Sequence, residues 1–238
     1  MAESVAIPDR RQRRRQESIE EILDVALELM AEQGVAGLSL GEVARQLGIR
    51  PPSLYVYFAS KNALYDAAFA RGAKEIYDLY LDASQQVIAT AQSADEALLR
   101  MGSIFIRWAI DHPVYAQLLF WRPVPGFEPT PEAYQPAVAL MELGAELFTA
   151  MQDRRWLRSD VAADDLLRDW TIVISGIISQ QLSNEPEVDF TSGRFTAALP
   201  SIVTMYVAAN GVTTPARKPA RKSTTTSATK ESRRAHPR

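Results

Sequence analysis

Cysteine and histidine, which often carry acid–base or metal chemistry, are scarce in this sequence. It has no cysteine, and its two histidines, His112 and His236, are far apart among the 238 residues. The sequence contains no Cys/His metal spacing, no phosphate-binding glycine loop and no serine-nucleophile motif. We therefore expect no catalytic residue, no metal site and no cofactor, and a function that rests on binding rather than on an enzymatic reaction.

A different chemistry is concentrated in residues 48–61, GIRPPSLYVYFASK. Proline suits the first turn of a helix, so the two adjacent prolines predict a short helix that reaches Tyr57. Arginine, serine and tyrosine side chains on such a helix can hydrogen-bond to phosphate oxygens and base edges of nucleic acid. Leu54 and Phe58 are four residues apart, and we expect both to point into the core.

The preceding residues predict two helices that would hold this short helix in place. Apolar residues recur at helical spacing over 17–33 and again over 40–47. Ser39 and Glu42 have the spacing of a capping box at the start of the second helix. Two short helices joined by a glycine-containing turn form a helix-turn-helix.

The rest of the chain also has a helical pattern, which predicts an all-α fold. Ser60 is placed to cap a long helix over 61–91, with Leu79 among its buried positions. The proline-rich stretch 123–131 predicts a loop. Further helices are expected near 94–112, 113–121, 131–153, 161–184 and 191–209.

Charge is distributed unevenly around the net value of −3. Residues 10–15, RRQRRR, and the tail 211–238 are basic, whereas the body between them is acidic. The composition of the tail predicts disorder. Basic ends on an acidic body indicate that only the ends would meet a polyanion. No signal peptide or membrane-spanning stretch is recognisable, so we expect a cytoplasmic protein with no membrane partner.

Residues 17–70 resemble the DNA-binding domain of the tetracycline-repressor-like (TetR) family. The resemblance rests on Ala26-x3-Met30-x3-Gly34, LSLGEVARQLGI from residue 38, S-L-Y-x-Y-F at 53–58 and S-K-x-x-L at 60–64. WAIDHP at 108–113 and RPVPGF at 122–127 are similar to the WHG-type C-terminal domain found in part of that family.

The resemblance implies a homodimeric transcription factor, usually a repressor, in the bacterial cytoplasm and on the nucleoid when bound. It would leave a near-palindromic double-stranded DNA operator when a small apolar or amphipathic effector enters the larger domain. The implied organisation is a flexible basic arm at 1–16, a three-helix helix-turn-helix domain at 17–62, a helical effector-binding and dimerisation domain at 63–210 and the basic tail.

In such a domain the third helix enters the major groove. Pro51 can offer only an apolar face, for example to a thymine methyl group, so base hydrogen bonding would fall mainly to Arg50 and Ser53. The arginines at 10–15 could follow the phosphate backbone or enter the minor groove. The expected DNA-facing residues are Ser39, Leu40, Gly41, Arg50, Pro51, Pro52, Ser53, Tyr55, Tyr57 and Lys61.

Candidate effector contacts come from an apolar stripe that also contains an imidazole and a phenol. Helical spacing of this kind is typical of a core as well as of a pocket, and His112, next to Pro113, fits a helix-end cap equally well. The candidates are Met101, Phe105, Trp108, His112, Tyr115, Leu119, Phe148 and Trp170.

Candidate dimer contacts lie on the last two helices, which are apolar on several faces. Two copies could build a four-helix interface, and the alternative is an internal core helix. The candidates are Leu167, Val173, Ile174, Ile177, Ile178, Phe195, Leu199, Ile202 and Tyr206.

Two other functions compete with a ligand-responsive regulator. The basic tail would suit a DNA-organising protein without a small ligand. A helical enzyme could use Trp108 and His112, but the sequence offers no nucleophile or acid–base pair for it.

Overall fold

The computed structural model describes residues 10–212, and the predictions made for the start of the arm and for the basic tail lie outside this range. Within it the fold is all-α, as expected, apart from an isolated bridge between Leu157 and Gly211. None of the described helices is long and apolar enough to cross a membrane. The helices are α1 (Arg10–Gln33), α2 (Leu40–Gln46), α3 (Pro51–Leu54), α4 (Lys61–Thr90), α5 (Ala94–Asp111), α6 (Pro113–Phe120), α7 (Pro131–Asp153), α8 (Ala163–Asn184) and α9 (Leu199–Asn210).

Helix α1 begins at Arg10, seven residues before the predicted start, so the arginines at 10–15 lie on a helix rather than in a flexible arm. Arginine and glutamine are good helix formers, and no cap or proline at Glu17 interrupts the run. The helix ends at Gln33 because Gly34 takes a positive φ of 81°, which glycine adopts at little cost.

Helices α1–α3, called the head below, share one hydrophobic core with the first turns of α4. The buried side chains include Leu54 and Phe58, as predicted, together with Ala26, Met30 and Val43. Helix α3 ends at Leu54 rather than at Tyr57, because the backbone N–H groups of Tyr57 and Phe58 both donate to the Leu54 carbonyl at 3.0 Å. The chain therefore tightens into a turn that directs Phe58 into the core.

One of the two predicted helix caps is absent. The Ser39 side chain makes no capping hydrogen bond, and Glu42 instead pairs with Arg45 one turn further along α2. The Ser60 hydroxyl does cap α4, accepting a hydrogen bond from the backbone N–H of Ala63 at 3.1 Å. Leu79 of α4, predicted to be buried, is exposed.

The second core lies between α4 and helices α5–α9, and α4 contributes to both cores. Helix α9 begins at Leu199, eight residues later than predicted. The fully buried Gln181 side chain donates to the Glu185 carbonyl at 3.0 Å and accepts from the Phe195 N–H at 3.3 Å. These bonds hold the chain between α8 and α9 as a loop and offer it an alternative to helical hydrogen bonding.

Candidate functional site

The turn between α2 and α3 presents small, polar and aromatic groups to solvent. Gly48 ends α2 with a φ of 66°, and the extended backbone of Arg50 leads into the two prolines that begin α3. Leu54 is fully buried, so the opposite side of the turn faces outward. Of the ten residues expected to face DNA, the exposed ones are Ser39, Gly41, Arg50, Pro51, Pro52, Ser53 and Tyr55, and the partly buried ones are Leu40, Tyr57 and Lys61.

Val56 was not among these candidates, yet 70% of its surface is exposed beside Tyr55, which is 54% exposed. Tyr55 and Val56 together form a small exposed patch of apolar and aromatic surface. The sequence did not predict that Val56 points outward, because the third helix was expected to continue to Tyr57. Helix α3 instead ends at Leu54, and this early end exposes Val56.

The first turns of α4 hold the loop between α1 and α2. The Tyr65 hydroxyl donates to the Val35 carbonyl at 2.6 Å, and the Lys61 ammonium donates to the Ala36 carbonyl at 2.9 Å. Burial raises the pKa of Tyr65 to about 12, so this phenol stays a hydrogen-bond donor over the whole neutral range. Lys61 thus has a partner within the chain, and an ammonium group retains further donors beyond that bond.

The basic start of α1 lies beside the head's outward turn. The guanidinium of Arg15 is 5.7 Å from the centre of the Tyr57 ring, and its Nη2 is 3.5 Å from the Val56 carbonyl oxygen. The helical course of residues 10–16 therefore brings positive charge next to the tyrosines of the α3–α4 turn. The sequence placed Arg15 in an arm outside the domain that contains Tyr57 and gave no distance between the two groups.

An apolar cavity of about 180 Å³ lies within the larger domain, between α4, α5, α6, α7 and α8. Helix α4 lines it with four side chains at spacings of three to four residues, from Phe69 to Tyr80. Tyr134 and Met141 of α7 line it as well and are about half exposed, so the cavity opens beside α7. No charged residue is among the side chains that line it.

The structure brings only part of the predicted effector set to this cavity. Phe105, Leu119 and Trp170 line it. Met101, Tyr115 and Phe148 are instead buried in the core away from it, which corrects their assignment. The apolar stripe correctly predicted helices that border the cavity, but it did not predict which face of each helix borders it. The face depends on how the helices cross.

Trp108 and His112, the polar members of the stripe, belong to a separate, more open depression between α4 and α5. Trp108 Nε1 donates to Glu75 Oε1 at 2.9 Å, and His112 Nε2 is 3.3 Å from the same oxygen. His112 Nδ1 donates to the Trp108 carbonyl at 2.9 Å, at the end of α5. His112 therefore has the helix-end role that the sequence left open, and the two residues are corrected as cavity contacts.

The predicted dimer contacts also require correction. Six of the nine side chains pack inside the chain's own core: Leu167, Ile174, Ile177, Ile178, Leu199 and Tyr206. Leu167 and Ile174 line the cavity as well. Val173, Phe195 and Ile202 are partly buried. The large apolar side chains that these helices do expose are Ile172, at 65%, and Met205, at 71%.

Comparison with known proteins places this geometry in a family. Residues 22–68 match the family described as bacterial regulatory proteins, tetR family. An uncharacterized HTH-type transcriptional regulator, YobS, of Bacillus subtilis is 30% identical over 94 residues, which are 40% of this chain and 47% of YobS. The class D tetracycline repressor protein of Escherichia coli is 46% identical over 48 residues, 20% of this chain and 22% of the repressor. The chain thus spans less than half the length of these two relatives.

A solved structure extends the likeness to the whole fold. The transcriptional regulator FadR from Bacillus subtilis, in complex with stearoyl-CoA, superimposes with a TM-score of 0.64 at 15% identity, covering 79% of this chain and 97% of FadR. At that identity the likeness shows the fold. The matched segment 22–68 contains the helix-turn-helix, so the WHG-type character of the larger domain stays a prediction. With the head geometry, the family match and the shared fold taken together, residues 22–68 match the helix-turn-helix segment of the tetR family of bacterial regulatory proteins, and most of the chain shares the fold of FadR.

Proposed function

We propose that the protein is a transcriptional repressor that binds its operator as a homodimer and is released by a small effector. The observation that carries the proposal is the double role of α4. Its first turns hold the head through Lys61 and Tyr65, and residues from Phe69 to Tyr80 line the apolar cavity. One continuous helix thus connects a surface suited to DNA with a space suited to a ligand.

The DNA-binding part of the proposal rests on the outward groups of the head. Arg50 and Ser53 supply donors for base edges, and the exposed Tyr55 hydroxyl suits a phosphate oxygen. Val56 and Pro51 add apolar surface that fits thymine methyl groups. Arg15 adds a positive charge beside the same turn, in reach of the phosphate backbone.

The release part of the proposal rests on contacts that tie α4 to its neighbours. Arg71 of α4 forms ion pairs with Glu20, at 3.1 Å, and with Asp24 of α1. Asp66 of α4 accepts from the backbone N–H of Thr130 at 2.7 Å, at the start of α7. A ligand that changes the spacing between α4 and α7 would therefore move α1 and the head with them.

The dimer part of the proposal uses the exposed rather than the buried faces of α8 and α9. Ile172 and Met205 are large exposed apolar side chains, and a Cβ atom on the exposed Gly176 would meet open space. A small residue one turn from an exposed isoleucine lets a second helix approach closely. Two copies that bury these faces against each other would form a twofold interface, which a near-palindromic operator requires.

A DNA-organising protein without a small ligand is the alternative that the charge distribution allows. Such a protein would have no use for the cavity. A mobility shift with DNA from upstream of the protein's own gene separates the two functions. We expect a discrete complex that excess unrelated DNA does not abolish. A complex that unrelated DNA removes at equal concentration would overturn the repressor proposal in favour of charge-driven binding.

An enzyme is the weaker alternative. The cavity has no charged lining residue that could act as acid or base, and the ring nitrogens of His112 are engaged by Glu75 and by the backbone of Trp108. General acid–base catalysis needs such a group within hydrogen-bond reach of a substrate. We therefore propose a binding role for the larger domain.

A further inference from the structure

Of the two tyrosines that line the cavity, Tyr134 is half exposed and Tyr80 is buried. The Tyr80 side chain is only 7% exposed and lines the cavity, and no residue between 10 and 212 makes a hydrogen bond to its hydroxyl. The buried hydroxyls of Tyr65 and Tyr206, in contrast, donate to backbone carbonyls at 2.6 Å. The Tyr80 hydroxyl oxygen is not sealed off, because the Tyr115 hydroxyl is the one described buried side-chain polar atom that is both inaccessible and without a partner. A ligand that accepts a hydrogen bond from Tyr80 would therefore replace water at this hydroxyl and gain the bond.

Tyr115 also has a buried hydroxyl without a hydrogen bond, but this group does not line the cavity. It lies in the packed region where the Tyr115 ring covers Gly72, so closely that a Cβ there would be 2.6 Å from a ring carbon. A ligand in the cavity would meet Tyr80 and not Tyr115. Tyr80 is therefore the hydroxyl that a ligand can satisfy.

The charge of the cavity limits the ligand further. Its lining contains no lysine, arginine, histidine, aspartate or glutamate. A carboxylate, phosphate or ammonium group placed there would lose its hydration without gaining a counter-ion, which costs several kcal/mol. Burial also raises the pKa of Tyr80, so its hydroxyl remains a neutral donor. These conditions favour an uncharged ligand.

The residues of α4 that line the cavity extend from Phe69 to Tyr80. Phe69 stacks on Tyr134 at 5.8 Å between ring centres, beside the half-exposed side chains of α7. Tyr80 lies eleven positions further along α4, roughly 16 Å away at the rise of an α-helix. A ligand lying along α4 would thus place its polar atom at Tyr80 and its apolar body towards Phe69.

We propose that the cavity binds a small neutral molecule whose carbonyl or ether oxygen accepts a hydrogen bond from Tyr80 and whose apolar body lies along α4 and α7. The identification of this molecule as the effector rests on the proposed function above. The binding itself does not, and it can be measured without DNA.

Three probes of matched size test the proposal: acetophenone, α-methylstyrene, in which a methylene group replaces the carbonyl oxygen, and benzoate, which carries a charge. Calorimetric titration of the full chain should give tighter binding of acetophenone than of α-methylstyrene by about fivefold, the value of one net hydrogen bond. Benzoate should bind more weakly than either. Tyr80→Phe should keep α-methylstyrene binding and abolish the preference for the ketone.

Tyr65→Phe is the matched control, because it removes a buried tyrosine hydroxyl outside the cavity and should keep the preference. Equal affinity for ketone and alkene, a preference that survives in Tyr80→Phe, tighter binding of benzoate, or no binding of any probe would each overturn the proposal. A mobility shift is measured separately. A further outcome is that acetophenone binds with the expected preference in calorimetry and still leaves the protein bound to DNA in the mobility shift. That result would support the Tyr80 site and overturn release by a ligand of this class.

Discussion

At the scale of single residues, Tyr65 determines the position of the head relative to α4. Its fully buried hydroxyl is the hydrogen-bond donor for the Val35 carbonyl. Tyr65→Phe should lower the free energy of unfolding by about 1–3 kcal/mol, because the carbonyl is left buried without its partner. Urea denaturation measures this change. Tyr55→Phe, which removes an exposed hydroxyl, should stay within about 0.5 kcal/mol of the wild type, and an equal effect of both substitutions would contradict the assignment.

The burial and capping roles of single residues near the head were predicted better than the residues that line the cavity. The sequence correctly indicated that Leu54 and Phe58 are buried and that Ser60 caps α4, because these follow from local spacing. It placed Met101 and Phe148 in a pocket, whereas both are core residues. Whether an apolar side chain borders a void depends on the crossing of five helices, which no local pattern contains. Tyr80 lines the cavity but was not among the predicted effector contacts, for the same reason.

At the scale of helices, the extension of α1 to Arg10 changes the role expected of the basic run. The guanidinium of Arg15 lies beside Tyr57, next to the proposed DNA surface. Arg15→Gln should reduce the slope of log K against log salt concentration by about 0.9, the contribution of one phosphate contact. Fluorescence anisotropy with an operator duplex at several salt concentrations gives the slope. The matched control is Arg168→Gln on α8, which should leave the slope unchanged, and an unchanged slope in Arg15→Gln would remove Arg15 from the contact.

The exposed faces of α8 and α9 carry the dimer prediction. Met205→Glu or Ile172→Lys should raise the dissociation constant of the dimer by roughly tenfold or more, because each places a charge in a buried apolar contact. Sedimentation velocity over a range of concentrations measures the dimer fraction. Leu79→Glu is the control, because it changes an exposed leucine on α4 outside the proposed interface. Dimers of unchanged affinity in both α8 and α9 variants would show that the subunits meet elsewhere.

Helix boundaries were predicted closely where proline, glycine or a cap marks them, as at Pro113 and Pro131. The late start of α9 was missed because its cause is the buried Gln181, whose bond with the Phe195 N–H joins residues fourteen positions apart. The same limit applies to the dimer contacts. Apolar composition on several sides of α8 does not show which side faces the chain's own core.

At the scale of the whole molecule, buried tyrosines predict a loss of stability in base. Burial raises the pKa of Tyr65, Tyr80 and Tyr206 above the ordinary value of 10.0, to about 12 for Tyr65. Their contribution to stability is fully present below about pH 10, where unfolded tyrosine is also neutral, and is lost as the pH rises through about 12. The free energy of unfolding should therefore fall between about pH 10 and about pH 12, with a smaller fall in Tyr65→Phe. A stability that is flat over this range would contradict the burial of these phenols.

The central claim is that the head reads DNA through side chains that the fold does not need. Tyr55 tests it most directly, because this side chain is 54% exposed while its neighbour Leu54 is fully buried. The measurement is a mobility shift with the DNA upstream of the protein's own gene, comparing wild type with Tyr55→Ala at matched thermal stability. The account predicts a competitor-resistant complex that Tyr55→Ala weakens by at least roughly tenfold with an unchanged unfolding free energy. A complex of equal affinity in both proteins, or one that unrelated DNA displaces from both, would contradict it.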